Sequence, residues 1–215
     1  MKTYLFDFDG TLVDSMPAYG GAMKKVLDDH GISYGKDLVK TITPLGLKGT
    51  AEYFRKIGLD LPLESIIEEI GKNLYYEYAN NIQLKPYVAD ALKTLKEKGC
   101  RLNILTAGPH ITLDVCIERL GIGWMFENIW SCDDFKTTKT DPGIYKAAAE
   151  RLGLRPEEVL FLDDNLYADL AAKKAGMKVC GVYDASSAEF ENEIRENTDD
   201  YLEDFSGICE IISDH

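Results

Sequence analysis

The chain has 215 residues, with 24 Lys and Arg against 37 Asp and Glu and a formal charge of −13 at pH 7. That length suffices for one buried core with a smaller appended module. So acidic a surface repels phosphate backbones and anionic lipid, which excludes nucleic acid and membrane surfaces as partners; a metal ion and one lysine still reverse the field inside a pocket that takes a small anion.

The first predicted element is a strand over Thr3–Phe8, an apolar run that ends on Asp7 and Asp9 and breaks at Gly10-Thr11. Residues i and i+2 of a strand face the same way, so both carboxylates emerge together at the strand's carboxyl end. In an open α/β sheet that edge binds ligands. Two crowded carboxylates there suit a hard divalent cation, most often Mg²⁺ when phosphate is the partner.

From Ser15 to Leu84 the texture is helical. Pro17 suits a first turn, Ala22, Val26 and Leu27 follow at helical spacing, and Ala51–Ile57 and Leu63–Ala79 predict two further helices. Loops are expected at Thr43-Pro44-Leu45-Gly46 and Gly58–Pro62. Gly46-Leu47-Lys48-Gly49 reads as a flexible segment whose lysine either reaches a substrate's leaving group or is an ordinary exposed side chain. Six tyrosines of this block (Tyr19, Tyr34, Tyr53, Tyr75, Tyr76, Tyr78) read mostly as packing residues.

From Lys85 onward helices and short apolar strands alternate. Helices are expected at Tyr87–Glu97, His110–Leu120, Pro142–Leu152 and Tyr167–Ala175, and strands at Arg101–Leu105, Asn128–Ser131, Val159–Leu162 and Val179–Val182. This alternation predicts an α/β, Rossmann-like parallel sheet with helices on both faces. The core domain is then 1–14 with 85–215, and 15–84 is an inserted all-helical module, a natural lid. The acidic stretch Glu189–Asp204 reads as solvated surface.

Three more strand ends carry chemistry. Thr106-Ala107-Gly108 joins a hydroxyl to small residues whose N–H groups can approach an anion. Lys139 precedes Asp141-Pro142 at a helix start and is favoured over Lys136 for that place, and Asp163-Asp164 closes another apolar strand. The five cysteines (Cys100, Cys116, Cys132, Cys180, Cys209) include no Cys-x-x-Cys pair, and the three histidines (His30, His110, His215) are scattered. That pattern points to reduced, mostly buried thiols in a cytoplasmic protein and against a zinc site. His110 is read as flanking its helix.

In order and spacing, Asp9-Gly10-Thr11-Leu12-Val13-Asp14-Ser15, Lys139-x-Asp141-Pro142-x-x-Tyr145 and Ala171-Ala172-Lys173-Lys174-Ala175-Gly176 resemble the haloacid dehalogenase superfamily of phosphohydrolases. The helical insertion resembles the C1 cap of its phosphoglycolate phosphatase and β-phosphoglucomutase branch. The resemblance implies hydrolysis of a small phosphomonoester, with Asp7 as nucleophile and Asp9 as general acid and base. It implies Mg²⁺ held by Asp7, the Asp9 carbonyl and Asp164, with Asp163 a supporting or alternative ligand. Thr106, the Ala107 amide and Lys139 would hold the phosphoryl oxygens, with Gly10 and Lys48 as further substrate contacts. Ala168 stands where many relatives carry an acid, so Asp169 is read as a solvated or helix-associated charge. A phosphomutase is the chief rival; relatives of that type carry a His where Tyr19 stands. A dehalogenase fits the Asp9-Gly10-Thr11 pattern poorly, and nothing selects Lys24, Lys25 or Lys48 as the Schiff-base lysine of a phosphonate hydrolase. A non-catalytic phosphate-binding protein is the rival from another class. The partner is a small phosphorylated metabolite, and the chain is expected to be a monomer or homodimer.

Overall fold

The computed structural model describes residues 2–42, 45–209 and 211. The chain divides into two compact units, Met1–Asp14 with Gln83–His215, and Ser15–Ile82. Thr43, Pro44 and His215 lie outside the described residues.

The larger unit is built on a six-stranded parallel sheet. Its strands are β1 (Thr3–Phe6), β2 (Arg101–Thr106), β3 (Asn128–Ser131), β4 (Val159–Asp163), β5 (Lys178–Val182) and β6 (Asp200–Leu202), in the spatial order β3-β2-β1-β4-β5-β6. β1 is central, pairing Leu5 with Asn103 on one side and Phe161 on the other. Its side chains alternate: Leu5 enters a core with Leu105, Phe161 and Val179, while Tyr4 and Phe6 stack on the opposite face, Phe6 against Phe126 and Phe205. A strand buried on both faces has no polar side, which is why β1 and β4 read as unbroken apolar runs.

Among the described residues the α-helices are α1 (Met16–Asp29), α2 (Leu38–Ile42), α3 (Gly46–Lys56), α4 (Leu63–Asn80), α5 (Val88–Glu97), α6 (His110–Leu120), α7 (Pro142–Leu152), α8 (Leu166–Ala175) and α9 (Glu191–Asn197). α7 and α8 cover the Leu5 face through Ile144, Tyr145, Ala148, Ala171 and Ala172. The first four form the smaller unit, where α1 and α4 pack together and α4 buries Ile66, Ile70, Leu74 and Tyr78 at helical spacing.

Five expectations are corrected. The first strand stops at Phe6, not Phe8. Asp7 keeps one ladder bond, N–H to the Leu162 carbonyl at 2.8 Å, and the chain then folds back so that the Leu12 and Val13 amides both donate to the Phe8 carbonyl. Asp7 and Asp9 therefore sit on a turn at the sheet's edge. Second, α3 begins at Gly46, so Gly46–Gly49 is its first turn and Lys48 is helical. Burial of Thr50, Ala51 and Phe54 outweighs the poor helix propensity of the two glycines. Third, α2 was not foreseen. Fourth, packing holds for the buried Tyr78 and in part for the half-buried Tyr19, Tyr34 and Tyr53, whereas Tyr75 and Tyr76 fall off the apolar stripe of α4 and are exposed. Fifth, the acidic tail is structured: α9 buries Ile194 and β6 buries Leu202. Gly181 of β5 makes room for this, since a Cβ there would lie 2.3 Å from Ile194 Cγ2.

Candidate active site

The carboxyl ends of β1, β2 and β4, with the turn before α7, bring Asp7, Asp9, Thr106, Lys139, Asp163 and Asp164 together. The β1–β4 boundary is where crossovers diverge, since β1 leads to β2 on one side and β3 leads to β4 on the other. Loops part there and leave a crevice.

Lys139 is the hub. Its ammonium, side chain 10% exposed, is paired with Asp7 Oδ1 and with Asp163 Oδ2 at 2.7 Å. Its own backbone carbonyl accepts a hydrogen bond from the buried Tyr145 hydroxyl at 2.9 Å, and Phe161 lies beneath the ammonium, 5.6 Å from Nζ to the ring centre. The turn is set by Asp141, which caps α7 by accepting from the Gly143 amide and the Thr137 hydroxyl. Lys136, by contrast, is exposed.

The two carboxylates ending β4 differ in their partners. Asp163 uses one oxygen for Lys139 and the other for the Asn165 amide at 2.8 Å. Asp164 accepts the Thr11 hydroxyl on Oδ1 at 2.9 Å. Asn165 caps α8 through the Tyr167 and Ala168 amides, which fixes the direction of the chain as it leaves β4. Gly10, at φ +81°, lies so close that a Cβ would stand 2.6 Å from Asp164 Oδ2. Thr106, fully buried, donates to Asp9 Oδ2 at 3.4 Å and accepts the Gly108 amide at 3.0 Å. It does not cap α6, whose N-cap is Pro109. Ala107 is exposed at the loop tip, and Ser131 at the end of β3 braces the loop by donating to the Gly108 carbonyl at 2.8 Å.

Oxygens of Asp7, Asp163 and Asp164 lie within 4.8 Å of one another. Burial pushes the Asp7 carboxyl up to about 7; Lys139 opposes this, while Asp163 and Asp9 add to it. Burial likewise raises Asp164 well above the usual carboxylate range, reinforced by Asp163, Asp7 and Asp184. Burial works against the charge on Lys139, yet Asp163 and Asp7 outweigh it and hold the ammonium charged. The clustered oxygens of Asp7, Asp163 and Asp164 form an all-oxygen donor set that fits a hard divalent cation, whose charge would favour their ionised forms.

Lys48, in contrast, belongs to the helical unit, exposed in the first turn of α3. Asp169 overturns its sequence reading: it is fully buried on α8, neither carboxylate oxygen has a hydrogen-bond partner, and burial with Asp163 and Asp164 raises its pKa well above normal. The reading failed because α8 turns this position inward between Ala168 and Ala172. His110 begins α6 and bridges Asp114 and Asp134, both at 2.9 Å, away from the cluster's partners. Cys100, Cys116, Cys132 and Cys180 are buried free thiols, and Cys209 is exposed. Sequence reasoning missed Thr11, Asn165, Tyr145, Ser131 and Lys85 as supports. Thr11 and Tyr145 lie within the motifs and Asn165 directly follows Asp164, so all three were within reach; Lys85 carried no local signal.

The model of haloacid dehalogenase-like hydrolases matches residues 1–176. Pyrophosphatase PpaX of Bacillus velezensis is 31% identical over 186 residues, 83% of this chain and 81% of that protein. Phosphoglycolate phosphatase of Shigella boydii is 29% identical over 199 residues, covering 82% and 79%. A solved structure described as a candidate β-phosphoglucomutase from Thermotoga maritima superposes with a TM-score of 0.84 at 24% identity, covering 100% of this chain and 99% of that one, which is a likeness of fold. With the family model spanning most of the chain and the α/β fold shared throughout, this chain is an enzyme of the haloacid dehalogenase-like hydrolase family.

Proposed function

We propose that the enzyme is a phosphatase that hydrolyses a small phosphomonoester through a phosphoaspartate on Asp7. The observation that carries this reading is the buried convergence of Asp7, Lys139, Asp163 and Asp164 beside the Thr106 loop. Relatives named phosphoglycolate phosphatase and pyrophosphatase PpaX support it.

Asp7, Asp164 and the Asp9 backbone carbonyl would hold Mg²⁺, which when bound offsets the charge of the carboxylates and of the phosphate. Asp7 attacks phosphorus, splitting one difficult displacement into two easier ones. Asp9 gives its proton to the departing alkoxide, then takes one from the water that hydrolyses the acyl phosphate. Its hydrogen bond with Thr106 aims the carboxyl toward the phosphate loop. Lys139, the Thr106 hydroxyl and the Ala107 amide hold the equatorial oxygens as charge shifts in the transition state. Asp163 orients Lys139 and leaves the metal to Asp164, since both of its oxygens are already engaged. The helical unit acts as the cap that selects the substrate and excludes water, with Lys48 a candidate contact. The setting is cytoplasmic.

Phosphate release from a panel of small phosphomonoesters, with Mg²⁺ and with EDTA, tests the proposal. Wild type is expected to turn over at least one ester, EDTA to stop it, and Asp7→Asn to lower kcat on the order of a thousandfold or more. Undiminished turnover by Asp7→Asn would sink the mechanism, and conversion of a sugar phosphate into its isomer without net release would establish a mutase instead.

A further inference from the structure

The Asp9–Thr11 turn is held by a half-buried cation from elsewhere in the chain. Residues 83–85 are zipped to residues 12–14: the Asp14 amide donates to the Gln83 carbonyl and the Lys85 amide to the Leu12 carbonyl, both at 3.0 Å. This alignment sends the Lys85 side chain, 15% exposed, under the turn. There its ammonium donates to the Gly10 carbonyl at 2.6 Å, the Tyr183 carbonyl at 2.5 Å and Asp184 Oδ2 at 3.0 Å. An ammonium has three N–H donors, so all are accounted for. Asp184 is itself fixed, its other oxygen accepting the Ser186 amide and hydroxyl.

Holding the Gly10 carbonyl sets the plane of the Gly10–Thr11 peptide. On one side of that peptide is the Asp9 carbonyl; on the other is Thr11, whose hydroxyl orients Asp164. Gly10 has no side chain to restrict the turn and sits at positive φ; its amide donates to the Val13 carbonyl at 3.0 Å, and Lys85 holds its carbonyl from outside the turn.

We propose that Lys85 is a positioning residue for the divalent-cation site, fastening the Asp9–Thr11 turn to the loop after β5 so that the Asp9 carbonyl and Asp164 are held in binding geometry. The inference rests on the metal assignment made above, but not on any ester being turned over. It also has a sign that simple electrostatics does not. Removing a positive charge near the site makes it more negative, and charge alone then predicts tighter Mg²⁺ binding. Loss of positioning predicts weaker binding.

The test is calorimetric titration of the metal-free enzyme with Mg²⁺, alongside phosphate release. Lys85→Met is expected to bind Mg²⁺ about tenfold more weakly than wild type, the scale seen when groups orienting metal ligands are removed. The double variant Lys85→Met/Asp184→Asn is expected to stay equally weak, because it removes the stranded charge without restoring the tie to Gly10. Asp184→Asn alone keeps Lys85 on its two carbonyls and is expected to bind within about threefold of wild type. In phosphate release, the Mg²⁺ activation constant rises with the variants' Kd while KM for the ester moves little. Unchanged or tighter binding by Lys85→Met overturns the proposal, as does recovery in the double variant. If Lys85→Met does not melt cooperatively, the double variant, which buries no unpaired charge, decides alone. Wild type that binds Mg²⁺ yet releases no phosphate refutes the phosphatase reading while the binding comparison still stands; wild type that binds no Mg²⁺ overturns both.

Discussion

Asp163 and Asp164 are neighbours of the same chemical type whose partners assign them different work. Asp163→Asn is expected to loosen Lys139 and lower kcat while leaving Mg²⁺ affinity within about threefold, and Asp164→Asn to weaken Mg²⁺ binding about tenfold or more. Calorimetric titration of both variants checks the split, and equal losses would merge the two roles. Asp169 presents the opposite case, a buried carboxyl with no hydrogen-bond partner for either oxygen. Burying an unsatisfied polar group costs roughly 1–3 kcal/mol, so Asp169→Leu is expected to raise stability by about that amount in denaturant unfolding. A loss of stability would show that the carboxyl carries structural weight. At this scale Asp7, Lys139 and Asp164 were legible because each sits at a motif's characteristic place. Asp169 was not, because helical spacing alone does not say which side of α8 faces the sheet.

Elements act here mainly by aiming chain ends. Asp141 caps α7 and closes the turn that carries Lys139. Asp141→Ala is expected to cost about 1 kcal/mol of stability, and to lower phosphate release by disturbing Lys139; chemical denaturation and activity measured together check both effects. The turn after β1 is more exacting. Gly10→Ala puts a Cβ into Asp164 and forces a left-handed φ on an L residue. Loss of Mg²⁺ binding is therefore expected even in protein that melts cooperatively. Element existence was readable for most strands and helices, since periodicity changes from helical to apolar-run texture at Lys85. Their ends were less so: β1 stops early because the chain reverses at Phe8, and α3 starts early because Phe54 and Ala51 are buried. β6 is three residues long and was hidden in an acidic stretch whose buried members are isolated.

For the whole molecule, the decisive quantity is the excess of buried negative charge at the sheet's carboxyl edge. Asp7 has its pKa raised in the fold from 3.8 to about 7, so between those values the folded protein binds more protons than the unfolded chain. Its contribution to stability is greatest below about pH 4 and is lost as pH rises toward 7. Comparison of metal-free wild type with Asp7→Asn removes this group's titration together with its influence on Asp164 and Lys139. The variant's melting temperature is expected to exceed wild type by an amount near zero at pH 4 that grows to several degrees by pH 7.5. A difference independent of pH would mean that Asp7 is already ionised throughout. Among the described residues no helix is long and apolar enough to cross a membrane.

The alternation of helices and apolar runs determined the parallel α/β architecture, because each segment's burial is written in its own period. Motif spacing determined which strand ends hold the candidate site, because its carboxylates and their neighbours are consecutive in the chain. Tertiary structure alone decided that Asp163 holds Lys139, that Asp169 is buried, and that Lys85 grips the Gly10 carbonyl. Those pairings join residues as many as 75 positions apart. Only the folded path of the chain brings such residues within a hydrogen bond's length, as where residues 83–85 run beside 12–14, and no local pattern of residues encodes it.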